Sequence, residues 1–308
     1  MSFEVHRFSV CVNCILPNDG LMTDSLQDKE MMFEDHGFIM LPDSYTDSGK
    51  ATRLVIFCHG AGGTVTTDDS QVEHSELTKY LVANGYAVMD VNGLPSDYAQ
   101  QNGIDIRNNI GSPIAIRSYV KAYHYCMDTF NLKTDVFVHG ASMGGISSAN
   151  LVLSGQIPVI AHSAFCPVLD TYNQIFLHPW SGGLPKVAMG KMYRFDIDEL
   201  GEYIYDEKKL FGFNPASNKK AETYPVPLKF WHCIDDDTVS YDVTRRFVEV
   251  IKNNGGTAIL RTFPYGGHEP QFVGDVVKSP VGKDMFCGEK IKITPAIEEA
   301  FVWVRNYD

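Results

Sequence analysis

Residues 134–155 read TDVFVHGASMGGISSANLVLSG, and the fold turns on this stretch. Its first part, 134–140, is a short apolar run with β-branched and aromatic side chains, the composition of a buried strand. Its second part, 143–155, reads as a helix that stops on a glycine. Between them Gly140-Ala141-Ser142-Met143-Gly144 fits G-x-S-x-G. By itself that pattern is weak, because a serine before a helix often only caps it. Here it has the strand–turn–helix context that gives it chemical meaning. Small residues at 140 and 144 permit a sharp turn that lifts the Ser142 hydroxyl above the sheet edge. The new helix N-terminus adds partial positive charge beside it.

Outward from this turn, strand and helix signals alternate. Strands are predicted at 3–16, 31–41, 53–58, 86–92, 157–165, 226–234 and 257–263. Helices are predicted at 74–84, at 241–254, near 294–306, and from Ser112-Pro113 onward, where a capping serine precedes proline in the first turn. This rhythm predicts an α/β fold with a mostly parallel central sheet flanked by helices. Residues 93–111 are polar and Gly-rich and are expected to form a loop. Residues 269–292 are expected to form a long one, of the kind that often binds ligands. The rhythm breaks at 167–224, which is read as a cap or lid inserted over the carboxyl edge of the sheet. The whole chain, 1–308, is then one domain carrying that insertion.

A serine that attacks a carbonyl needs two donors for the oxyanion, a base, and a carboxylate to orient the base. The N–H of Met143 follows the nucleophile and is one expected donor. The other should follow an earlier strand, where His59-Gly60-Ala61-Gly62-Gly63 stands. Ala61 is the first choice there. Gly62 is the second, and is also expected against the substrate, since glycine lets the backbone approach a ligand. His59 is expected to hold this loop by a hydrogen bond. Downstream of Ser142 the histidines are His162, His178, His232 and His268. His162 and His232 sit in apolar strands and are expected to pack. His178 is expected to be a solvated loop residue. His268, in a Gly-Gly turn just beyond a strand, is the expected base. The acid comes from Asp235, Asp236 and Asp237, of which one can face His268 and the other two form a solvated turn.

These motifs, in this order, resemble the α/β-hydrolase superfamily over most of residues 50–308. Feruloyl and acetyl-xylan esterases are nearest in style, with their prolyl-oligopeptidase-like relatives. In those proteins a stretch like H-G-x-x-D-x-x-V carries the acid. His232 and Val239 then place Asp236 at the acid position, while Cys233 stands where glycine is usual and Asp237 where proline is frequent. The resemblance implies a serine carboxylic-ester hydrolase with the triad Ser142, Asp236 and His268, acting on feruloyl, acetyl or other carbohydrate-linked esters. A serine peptidase of prolyl-oligopeptidase type is the alternative. It is less favoured because such enzymes usually carry a further large domain. A non-catalytic receptor built on a hydrolase fold is a third reading. Trp180, with Tyr172, Phe176, Tyr193 and Tyr203, is expected either to wall the substrate site or to form the insertion's own small core.

Composition bounds the partners. With a net charge of −12, the surface repels nucleic acid and anionic lipid. No apolar stretch is long enough to span a bilayer, no leader is visible, and the seven cysteines are an odd number, several inside apolar runs. A cytoplasmic protein is expected. Cys11-x-x-Cys14 falls on a predicted strand, where residues three apart face opposite ways, so it is not read as a metal site. No zinc or nucleotide motif is present, and neither metal nor cofactor is expected.

Overall fold

The structure, a computed structural model, describes residues 4–14, 31–66, 70–178, 183–278 and 282–308. Its centre is an 8-stranded sheet in the order β1-β2-β4-β3-β5-β6-β7-β8. The strands are β1 (Glu4–Asn13), β2 (Met32–Leu41), β3 (Arg53–Cys58), β4 (Tyr86–Val91), β5 (Val136–Ala141), β6 (Val159–Phe165), β7 (Leu228–Cys233) and β8 (Ala258–Phe263). From β4 to β8 every neighbouring pair is parallel, and β2 alone runs against the rest. The sequence anticipates each of these strands to within a few residues.

Strand period explains the two cores. In β3, Leu54, Ile56 and Cys58 face one side of the sheet and Val55 and Phe57 the other. The first side is covered by α3 (Pro113–Thr129), α4 (Gly144–Ser154) and α6 (Tyr241–Asn253), and the second by α1 (Glu76–Ala83) and α7 (Pro295–Asn306). With both faces buried, β3 and β4 are apolar almost throughout, as parallel strands must be. Each Leu or Ile buried there stabilises by about 1.5–3 kcal/mol. The Ser112 hydroxyl accepts the Ala115 N–H at 3.2 Å, ahead of Pro113, and so caps α3.

Helices α1, α4 and α6 run on to turns at the amino edge of the parallel strands. There Gly85, Gly155 and Gly255 adopt left-handed φ of 93°, 65° and 84°. The opposite, carboxyl edge carries the long connections. One of these was expected to be irregular at 93–111 but contains the short helix α2 (Ser96–Gln101). Tyr98 and Ala99 give it an apolar face that a reading of overall polarity misses. Similarly, 269–292 holds a 3₁₀ turn at Pro270–Phe272 and a small hairpin of β9 (Met285–Phe286) and β10 (Glu289–Lys290). The described residues of 167–224 contain a π-helical turn at Tyr172–Leu177, α5 (Leu184–Met192) and 3₁₀ turns at Glu207–Leu210, Pro215–Ser217 and Lys219–Thr223. Cys11 on β1 is exposed, and Cys14, just beyond the strand, is buried.

Two buried histidines make the fold sensitive to acid. His139 lies edge-on between Phe57 and Phe165, and His162 bonds Ser148 Oγ at 2.9 Å and Tyr224 Oη at 2.8 Å. Burial pushes both imidazoles down to about 3. The unfolded chain takes up these protons near the ordinary value of 6.5, so each histidine removes stability as pH falls below that value. The slope is about 1.4 kcal/mol per pH unit for each. Asp35 acts oppositely: burial pushes it up to about 6, so between its ordinary 3.8 and that value it favours the folded state on acidification. His139→Gln should therefore flatten the dependence of denaturant stability on pH between about 4 and 6 by one proton's worth. An unchanged slope would contradict the neutral, buried state of His139.

Candidate active site

The turn after β5 is held by backbone contact. A Cβ on Gly144 would run into the carbonyl of Cys58 and come within 2.6 Å of the carbonyl of His59. A Cβ on Gly140 would lie 2.6 Å from the Gly144 carbonyl. Helix α4 thus starts directly against the end of β3, and Ser142 between them adopts φ 53°, a left-handed conformation unusual for a residue with a side chain. Its N–H donates to Phe165 O at 3.0 Å, and its carbonyl accepts from Gly145 and Val168 N–H at 2.8 and 2.9 Å. The hydroxyl is left to face the carboxyl edge.

There the structure brings together the three residues singled out from the sequence. Ser142 Oγ lies 2.7 Å from His268 Nε2, and His268 Nδ1 lies 2.9 Å from Asp236 Oδ2. Asp236, not Asp237, faces the histidine. Asp236 Oδ1 accepts the N–H groups of Thr238 and Val239 at 2.9 Å each, and Oδ2 is 3.0 Å from His232 Nε2. Burial by itself would push this carboxyl up. The hydrogen bonds from His232, His268 and Val239 outweigh burial and hold it well below the usual carboxylate range. His232, expected simply to pack, is therefore part of the acid's support, with its Nδ1 on Thr244 Oγ1 at 3.0 Å.

Two further supports were not read from the sequence. Asp235, exposed as a solvated turn residue should be, also accepts the N–H groups of Gly266 and Gly267 at 3.2 and 2.9 Å and so fixes the turn that carries His268. The signal was the Gly-Gly pair itself, whose free N–H groups need an acceptor. Cys166, at the end of β6, donates its thiol to the His268 carbonyl at 3.1 Å. Asp237 is exposed, as a solvated turn residue should be. Cys166, Asp236 and His268 offer ligand atoms within 4.8 Å of one another. The Asp236 oxygens are already saturated, so this donor set fits a hydrogen-bonded relay better than an ion.

Among the described residues, the N–H groups of Met143 and Ala61 have no acceptor in the protein; Ala61 lines the cleft with Ser142, while Met143 directly follows the serine in the chain and its side chain is buried. Gly62 departs from expectation. At φ 84° it turns its N–H to Arg107 O at 3.4 Å and does not line the cleft. His59 holds this loop from beneath, with Nδ1 2.8 Å from Asp90 Oδ2, which is itself buried beside Tyr119.

The cleft over Ser142 has a volume of about 670 Å³, with Phe57, Leu77, Phe165, Phe272 and Ile297 among its walls. Of the two places open to the insertion's aromatics, the described ones take the second, a small core of their own. Tyr172 and Phe176 pack on Tyr205, Tyr193 and Phe176 on Phe195, and Tyr203 lies against Gly190. Residues that neighbour one another this closely satisfy their own apolar surface. Trp180 lies outside the described residues. His178 is exposed.

No family model matches the sequence, and no curated protein matches it. Solved structures do match. One is the Pyrococcus horikoshii acylaminoacyl peptidase, at 15% identity and a TM-score of 0.59 over 89% of this chain and 39% of that one. Another is a Bacteroides ovatus protein assigned as a dipeptidyl aminopeptidase IV, at 15% identity and a TM-score of 0.60 over 99% of this chain and 35% of that one. A third is a puromycin-hydrolyzing peptidase of Mycobacterium tuberculosis, at 16% identity and a TM-score of 0.56 over 76% and 34%. The chain thus has the α/β-hydrolase fold, and it spans little more than a third of the length of these relatives. All three bear peptidase names.

Proposed function

We propose that this chain is a serine hydrolase that cleaves amide bonds of peptide type through an acyl-enzyme on Ser142. The observation that carries this reading is the unbroken hydrogen-bonded line Asp236–His268–Ser142, with distances of 2.9 and 2.7 Å. His268 Nε2 takes the Ser142 proton as Oγ attacks the carbonyl carbon. Asp236 keeps Nδ1 protonated and stabilises the imidazolium that forms. The N–H groups of Met143 and Ala61 receive the oxyanion. His268 then protonates the leaving nitrogen, the C–N bond breaks, and a water deprotonated by the same histidine releases the acid. The apolar walls of the cleft suit an apolar or aromatic acyl group. Residues 167–224 act as a cap in this reading, tied to the acid's loop where Gln174 Oε1 accepts the Ser240 N–H at 3.2 Å. No helix among the described residues is long and apolar enough to cross a membrane.

The likeness to peptidases favours amide over ester cleavage. Ester hydrolysis through the same acyl-enzyme is the second reading, favoured by the resemblance of the His59–Gly63 and Ser142 motifs to esterases. Peptide p-nitroanilides and p-nitrophenyl esters with matched acyl groups separate the two, alongside labelling by a fluorophosphonate. Peptidyl anilide turnover with labelling is the expected result. Ester turnover with no anilide turnover would replace amide by ester chemistry. Folded protein that neither labels nor turns over would leave only the receptor reading.

A further inference from the structure

We propose that Gln71 is a positioning residue for the oxyanion donor, an inference that rests on the acyl-enzyme reading of Ser142. Its carboxamide grips the His59–Gly63 loop at two points. Oε1 accepts the Gly60 N–H at 3.1 Å, and Nε2 donates to the Ala61 carbonyl at 3.1 Å. These two groups bracket the peptide unit that joins Gly60 to Ala61. That unit carries the Ala61 N–H, and holding both sides of it fixes the direction in which the N–H points.

The rest of the loop is accounted for in the same way. Gly62 N–H donates to Arg107 O at 3.4 Å, and Gly63 N–H donates to Gly60 O at 3.3 Å. Of the four N–H groups from Gly60 to Gly63, those of 60, 62 and 63 have acceptors within the protein and that of Ala61 has none among the described residues. A glycine-rich loop has more conformational freedom than any other sequence. Left to itself it would spread one N–H over many directions. Preorganised donors stabilise a developing charge because they do not have to reorient as it forms. Gln71 supplies that order from outside the loop. Its side chain is exposed, but its neighbours Ser70 and Val72 are each 1% exposed, so the backbone that projects it is anchored.

The glycine at 63 is part of the same device. A Cβ there would lie 2.9 Å from Gln71 Cδ and 3.0 Å from Oε1, and its φ is outside the left-handed region. Alanine at 63 thus disturbs the loop chiefly by displacing the Gln71 carboxamide. This allows the clamp to be perturbed from either partner.

The experiment compares wild type, Gln71→Met, Gly63→Ala and the double variant on one peptidyl anilide. Methionine keeps the length and volume of glutamine and removes both hydrogen bonds. Each single variant should lower kcat by about 10- to 100-fold, below the 10²- to 10³-fold typical of losing a donor outright, with KM changed by no more than about twofold. Affinity for a peptidyl trifluoromethyl ketone, which forms the tetrahedral adduct, should fall by the same factor as kcat. The double variant should be no worse than the worse single one, since both act through one contact. Wild type that labels with fluorophosphonate, with kcat unchanged in both single variants, would overturn the clamp and leave the acyl-enzyme reading standing. A rise in KM at constant kcat would also overturn it. Wild type that neither labels nor turns over would overturn the acyl-enzyme reading and the role of the clamp with it.

Discussion

Ser142→Ala should lower turnover by about 10⁴- to 10⁶-fold and abolish fluorophosphonate labelling, while the protein stays folded. The variant removes the Ser142 hydroxyl and with it one hydrogen bond, the 2.7 Å contact to His268 Nε2. It leaves the turn untouched, because the turn is held by the Ser142 backbone and by the contacts of Gly140 and Gly144 with their neighbours. Alanine tolerates the left-handed φ of 53° no better and no worse than serine. His268→Ala should cost a comparable factor, and the double variant no more than either single one, because nucleophile and base act as a unit. Rates measured with active-site titration, beside a thermal melt, check this. A folded Ser142→Ala protein that keeps more than about a hundredth of wild-type turnover would remove Ser142 from the chemistry.

Asp236→Asn should reduce kcat by about 10³- to 10⁴-fold and also weaken the fold. The carboxylate now accepts from His268 Nδ1, which leaves Nε2 free to take the serine proton. An amide nitrogen at Oδ2 would present a donor instead and turn the imidazole to the wrong tautomer. It would also oppose His232 Nε2, at 3.0 Å, which bonds the Val239 carbonyl at 3.1 Å. The stability loss at neutral pH should be about 1–3 kcal/mol. Its pH dependence has a definite sign. The folded-state carboxyl is held below its ordinary 3.8, so its contribution is present above that value and fades as pH falls through it. Wild type and variant should therefore converge in stability in strong acid. Denaturant titrations at pH 7 and near pH 2 test the convergence. A constant gap between the two proteins would mean that the depressed carboxyl is not what stabilises the wild type.

Much of this site is legible along the chain because its chemistry is local there. The turn at Ser142 needs small neighbours on both sides, and those neighbours are adjacent in sequence. Asp236 sits within a short cycle of contacts, reaching His232 four residues back and the N–H of Val239 three residues on. A strand-end histidine, an aspartate and a valine at that spacing leave a trace in the linear order. What stayed hidden depends on contacts that no spacing records. Gln71 reaches a loop ten residues away, Asp235 reaches Gly267 over 32 residues, and Cys166 reaches His268 over 102. The aromatic residues of 172–205 left two readings open for a related reason. Composition shows that aromatics are present, but only packing shows that they face one another. The choice between amide and ester also lies beyond the motifs, since the same triad serves both.

The two rims of the sheet divide the tasks of the chain. At the carboxyl rim, the loop of His59–Gly63, the turn at Ser142 and the loop of His268 converge on one cleft, with Asp236 behind the histidine. At the amino rim, Gly155 and Gly255 close their helices with nothing within 4 Å of where a side chain would begin. Added side chains or residues at the amino-rim turns would thus change the outer surface far from the cleft.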